Sequence, residues 1–248
     1  MTIKEAMETR HTVRRYTDRA ISRKVAARLM ERIAAHNAQY RLSMELVQDD
    51  TGAFGPLLRL VLAKGVRNYI ILAGEDREDL EERLGYCGAD VMLYARTLGL
   101  DTWWVGGTFS RKAVRKKAGE VAGRVARGAT GEEAKGATRE AAGEEKRAPE
   151  KISGIIVVGY GATQGKPHRS KSAEEISVYK GETPGWFKAG VQAVLLAPTA
   201  LNKQAFWIAG EKDQVEMSCD NGIFSGIDLG IGRYHFEVGA GKEHFRWR

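Results

Sequence analysis

Two short patterns occur twice in this chain, and in the same order. "AAHNAQYRLSMELVQDD" (34–50) and "APTALNKQAFWIAGEKD" (197–213) each run from a helix end through Asn-x-Gln into a strand and an acidic turn. "CGADVMLYAR" (87–96) and "SGIDLGIGRY" (225–234) each place Gly-x-Asp ahead of a helical run. A repeated helix–strand–helix order predicts two similar halves that bury their apolar faces against each other. Asn37 and Asp90 are 53 residues apart and Asn202 and Asp228 only 26, so the second half is the abbreviated one. The expected division is 1–180, containing an insert at 116–150, and 181–248.

The elements between these landmarks follow from hydrophobic period. Val25, Leu29 and Ile33 recur at helical spacing after Ser22, a suitable N-cap. Leu42, Met44 and Leu46 alternate as in a half-buried strand. "NYIILAGED", "DTWWVGG", "SGIIVVGYGA" and "FWIAGEKD" read as strands, and "LGYCGADVMLYARTLGL" as a helix with Gly99 at C′. "WFKAGVQAVLLAP" is a helix stopped before Pro198. "FSGIDLGIGRYHFEVG" is helix-like and "KEHFRWR" an extended tail. Helices and strands alternate without strict βαβ units, which predicts an α+β fold with a mainly antiparallel sheet flanked by helices.

Several function classes are disfavoured at once. No apolar run approaches the ~20 residues of a membrane helix, and the N-terminal stretch lacks the apolar core of a secretory signal. Cys87 and Cys219 form neither a metal spacing nor a disulfide framework, and the five histidines are scattered. The expectation is a cytoplasmic protein without a metal centre. The net charge of +7 invites a nucleic-acid reading. Yet residues 111–151 hold 12 Lys and Arg against 7 Asp and Glu, so +5 of it sits in an Ala/Gly-rich stretch without aromatics. A solvated insert explains that composition better than a nucleic-acid surface, and neither a nucleic-acid partner nor a membrane is expected.

The chemistry concentrates in "RHTVRRYTDRAI", where Arg10 and Arg14 flank Thr12. Guanidinium forks and a hydroxyl are suited to phosphate oxygens, although a solvated basic turn has the same composition. This stretch resembles the N-terminal signature of the FMN-dependent nitroreductase family, Arg-Arg-Ser-Val-Arg-x-Phe, with His11 at an Arg position and Thr12 at the Ser. "CGADVMLYARTLGLDTWWVGG" resembles that family's central helix and the strand beside the flavin. "IIVVGYGATQGKPHRSKSAEEI" resembles its late strand and basic stretch. "APTALNKQAFW" resembles its Pro-Ser-x-x-Asn-x-Gln-Pro-Trp block, which in the family follows the first helix and here lies in the second half.

The resemblance implies an FMN-dependent oxidoreductase that takes hydride from NADH or NADPH and passes it to a nitroaromatic, quinone or similar small acceptor. It implies that Arg10, His11, Thr12 and Arg14 hold the phosphate. Gly106 and Gly107 would lie at the ring edge, and Pro198, Thr199, Ala200, Asn202 and Gln204 would face the ring. Arg169 and Lys171 are candidates for its pyrimidine side, with Lys166 and His168 nearby. Family members are usually homodimers that build each flavin site from two subunits. Here both contributions lie in one chain, so the expectation is a monomer with one site in cis, its pseudo-symmetric counterpart lacking a phosphate clamp. No side chain is assigned as a proton donor. Two other classes remain open: a flavin or nucleotide binder without turnover, and a basic nucleic-acid-associated protein. A bound yellow chromophore and oxidation of NAD(P)H discriminate among the three.

Overall fold

The computed structural model describes residues 1–129 and 150–248, with the backbone alone for 121–129. In chain order the elements are α1 (Ile3–Thr9), α2 (Arg23–Tyr40), β1 (Glu45–Val47), α3 (Pro56–Val61), β2 (Tyr69–Glu75), α4 (Leu80–Thr97), β3 (Asp101–Val105), α5 (Arg111–Ala129), β4 (Glu150–Gly159), α6 (Ala173–Ile176), β5 (Ser177–Lys180), α7 (Gly185–Val194), β6 (Phe206–Glu211), β7 (Gln214–Cys219), α8 (Ser225–Ala240) and β8 (Arg246–Trp247). The expected insert at 116–150 begins inside α5, and its residues 130–149 lie outside the described residues.

The first sheet has the order β1-β2-β4-β3, and every neighbouring pair is antiparallel. Its strands read as continuous apolar runs because both faces are covered. Ile70, Leu72, Ile156 and Val158 point into the larger core, which extends through α4 into the second half. Tyr69, Ile71, Ile155 and Val157 point the other way, against Phe54, Phe109 and Val114. The second sheet runs β5-β6-β7-β8, antiparallel at its centre and parallel at both edges. The architecture is therefore α+β and mainly antiparallel. The sequence reading omits β5 and β7, and the extended tail turns out to be a 3-10 turn followed by β8.

Both halves follow the order helix, strand, antiparallel strand, helix: α2-β1-β2-α4 and α7-β6-β7-α8. The two closing helices, α4 and α8, cross at their glycines. A Cβ on Gly85 would lie 2.2 Å from the carbonyl oxygen of Ile227, and one on Gly230 would lie 2.0 Å from that of Glu82. Gly85 with Gly230, and Glu82 with Ile227, are each 145 residues apart, so the contact is reciprocal about a local two-fold axis. This register differs from the Gly-x-Asp echo by seven residues, two helical turns: the axis relates Asp228 to Arg83 and not to Asp90. The halves are pseudo-symmetric, but the two aspartates are not counterparts.

Asp90 belongs to the packing of the first half. Arg32 donates to it in a fork at 2.6 and 2.7 Å, His36 Nε2 lies at 2.6 Å, and the Tyr234 hydroxyl reaches it from α8. Burial alone would raise this carboxyl, but the three partners together hold it well below the ordinary carboxylate range. An acid with a depressed folded-state value contributes stability above its unfolded value and loses it as the pH falls. Asp90→Ala is therefore expected to cost roughly 3 kcal/mol at neutral pH, because His36 and Tyr234 lose a buried partner. Chemical denaturation should show that deficit shrinking as the pH is taken below ~4, the unfolded carboxylate range.

Candidate functional site

α1 ends at Arg10, whose N–H bonds the Ala6 carbonyl before the backbone turns extended. The chain then lies along the edge of β3: Thr12 bridges Thr102, and the Val13 N–H donates to the Thr102 carbonyl at 3.1 Å. This seam carries Arg10 inward. The residue is only 5% exposed, and among the described residues its buried Nε has no hydrogen-bond partner. Burial, with Arg96 close by, lowers the guanidinium to about 10, so it stays charged at neutral pH. A buried cation without a counter-ion is costly unless something anionic meets it. Arg14 is exposed, its guanidinium 5.5 Å from the centre of the Trp103 ring. Burial and the neighbouring cations lower His11 as well, which favours its neutral form.

Arg10 opens on a cavity of about 880 Å³. One wall is the seam from Arg10 to Arg15, with the end of β3 and its turn from Trp103 to Thr108. Residues 163–168 form a second wall, while Pro198–Asn202 and the first turns of α8 supply the wall from the second half. The cavity thus has a cationic end and aromatic sides, the latter from Trp103, Trp104 and Phe224. Gly106 is needed where it stands, since a Cβ there would come within 2.7 Å of the Phe224 ring.

The wall from the second half is a strained turn. Leu201, Asn202 and Gln204 have φ values of 53°, 55° and 46°, which L-residues adopt rarely and at a cost of about 1–2 kcal/mol each. Four bonds hold it. The Gln204 N–H donates to Thr199 Oγ1 at 3.0 Å, and Asn202 Nδ2 donates to the Arg169 carbonyl at 2.8 Å. The Ala200 N–H donates to Asp228 at 3.1 Å. Gln204 is buried, and its Oε1 accepts from the Lys171 N–H at 2.7 Å. Leu201 is left 91% exposed at the mouth.

Of the residues singled out from the sequence, Arg10, His11, Thr12, Arg14, Gly106, Gly107, Pro198, Thr199, Ala200 and Asn202 meet on this one cavity, as do Lys166 and His168. Arg169, Lys171 and Gln204 stand behind it. Gln204 Nε2 donates to the Leu195 carbonyl at 3.0 Å, and Lys171 Nζ donates to the Gln204 carbonyl at 2.9 Å. All three staple the 166–171 stretch to the turn. Trp103, Phe224 and Asp228 were not foreseen on the wall. Asp228 had a signal in its Gly-x-Asp motif, whereas nothing local marks Phe224.

The family profile described as "Putative TM nitroreductase" matches residues 2–152 and 134–240, nearly the whole chain. The chain belongs to this nitroreductase family. Among solved structures, a putative nitroreductase from Thermotoga maritima MSB8 superposes with a TM-score of 0.62 at 18% identity, covering 96% of this chain and 83% of that one. The nitroreductase-like fold is thereby shared over both halves. A putative nitroreductase from Desulfovibrio desulfuricans, solved in complex with FMN, covers 74% of this chain and 99% of its own at 16% identity and a TM-score of 0.46. A nitroreductase family protein from Streptococcus pneumoniae TIGR4 covers 71% and 98% at 15% identity and a TM-score of 0.48. No curated protein is similar to the chain in sequence. Within this chain, the place that the local axis relates to the cavity is built differently. Arg83, the counterpart of Asp228, donates to the Tyr40 carbonyl at 3.4 Å, and the Arg32–Asp90–His36–Tyr234 knot lies two turns further along α4.

Proposed function

We propose that this nitroreductase binds one FMN per chain in the cavity between its halves and carries hydride from NADH or NADPH to a nitroaromatic, quinone or similar small acceptor. The observation that carries the reading is Arg10, a buried guanidinium with an unpartnered Nε at one end of a cavity with aromatic sides. A phosphate monoester supplies the charge that this cation lacks, and Thr12 adds a hydroxyl donor beside it. The absence of a GxGxxG turn for a pyrophosphate favours FMN over FAD. Bound FMN supplies the two-electron chemistry. The protein's share is placement: Arg10, Thr12 and Arg14 hold the phosphate end, Trp103 and the Phe224-covered Gly106 edge bound the flat end, and Thr199 to Asn202 close it from the second half.

Both contributions come from one chain, with 1–180 supplying the clamp and 181–248 the closing turn, so a monomer suffices. Among the described residues no helix is long and apolar enough to cross a membrane. The reading places the enzyme in the cytoplasm, without a membrane partner. The test is the absorption spectrum of the purified protein with mass identification of the released chromophore, followed by NADH and NADPH oxidation. A yellow protein releasing FMN and oxidising either nucleotide is expected. A colourless protein that fails to take up added FMN would reject the reading, and FMN without turnover would reduce it to binding.

A further inference from the structure

Asp228 and Asp90, alike in sequence, sit in opposite surroundings. Asp90 is ringed by donors. Asp228, 5% exposed in the first turn of α8, lies on the cavity wall, where among the described residues it has a single donor, the Ala200 N–H, 3.1 Å from both of its oxygens. Among the described residues no ion pair reaches it. The charged and titratable groups around it are Lys203 beyond the turn, and Cys219 and Asp220 at the end of β7. Glu81 and Glu82 on α4 face the same turns of α8, but they pair with Lys151 and Arg233. The cavity lining adds Arg10, His11, Arg14, Arg15, Lys166 and His168. Burial first, and Asp220 in addition, push the Asp228 carboxyl up to about 6. The Ala200 N–H and Lys203 pull the other way, and burial outweighs them.

We propose that Asp228 is the proton-holding residue of this cavity and gives its carboxyl proton to the bound acceptor as hydride arrives there. The step rests on the flavin reading above, which supplies the hydride. The Asp228 O–H bond breaks, and an O–H or N–H bond forms on the acceptor, which gains one hydride and one proton in total. The carboxylate left behind takes a proton from water at the cavity mouth. Because the acid form is the active one, turnover falls as the pH rises through the carboxyl's value.

Asp228→Asn keeps an oxygen for the Ala200 N–H and removes the proton. In cofactor-free protein, infrared difference spectra of wild type minus Asp228→Asn should show a protonated-carboxyl band that disappears through about pH 6. In the FMN-loaded enzyme, wild-type kcat should fall above that midpoint. Asp228→Asn should be slower by ~10²-fold at pH 6, with KM nearly unchanged and a flat pH profile. A carboxyl that titrates in the ordinary range, or a flavin-bound Asp228→Asn enzyme that keeps the wild-type profile, overturns the role of Asp228 alone. A protein that shows the band yet binds no flavin overturns the flavin reading, and the transfer step with it.

Discussion

In Arg10→Met, the cofactor-free protein should melt at the same temperature as wild type or higher, while FMN binds ten- to a hundredfold more weakly. The two halves of this expectation have one cause. Arg10 is buried with an unpartnered Nε, so without a ligand it carries a desolvation cost that methionine, of similar length and apolar, does not. With a phosphate present, the same guanidinium makes charge-assisted hydrogen bonds worth roughly 1.5–3 kcal/mol, about one to two decades in affinity. Ligand-induced stabilisation follows: a saturating FMN concentration that raises the wild-type melting temperature should raise that of Arg10→Met much less. Calorimetry with and without FMN measures both. A variant destabilised without ligand, yet unchanged in FMN affinity, would mean that Arg10 is a packing residue.

Gly230→Ala is expected to damage the fold more than any surface change. Its Cβ would lie 2.0 Å from the Glu82 carbonyl oxygen and 2.7 Å from the Tyr86 nitrogen. Both are backbone atoms of α4, so relief requires moving one helix against the other. Overpacking of this kind costs ~3 kcal/mol or more, and it should separate the walls of the cavity, since Ile227, Asp228 and Ile231 lie on α8 beside the crossing. Gly85→Ala meets the Ile227 carbonyl at 2.2 Å in the reciprocal contact. Once one substitution has opened the crossing the other finds room, so the double variant should cost distinctly less than the sum of the singles. Strict additivity in urea denaturation would contradict a shared crossing.

Much of the architecture is legible in the sequence because hydrophobic period survives tertiary packing. The runs around Ile70 and Ile156 are strands buried on both faces, and the Ser22 cap and Gly99 at C′ mark helix ends where they occur. The convergence of the Arg10 stretch with the Pro198 stretch was legible only through family resemblance, since no local pattern connects positions so far apart. Three things were not legible. The Gly-x-Asp match places Asp90 and Asp228 in equivalent roles, but the helix crossing is set by Gly85 and Gly230, which no short motif announces. Arg10 reads as part of an exposed basic turn, because whether an arginine is buried depends on the seam with β3 and on α8 behind it. Gln204 reads as a ring-facing amide, yet its positive φ and its bonds to Lys171 and Leu195 turn it away from the cavity.

The central claim is one flavin site built in cis from both halves. Titration of the cofactor-free protein with FMN, followed by quenching of flavin fluorescence and paired with mass measurement of the species in solution, tests it most directly. The account predicts an equivalence point at one FMN per chain on a monomer. An end point of two FMN per chain, or one reached only when two chains associate, would contradict it.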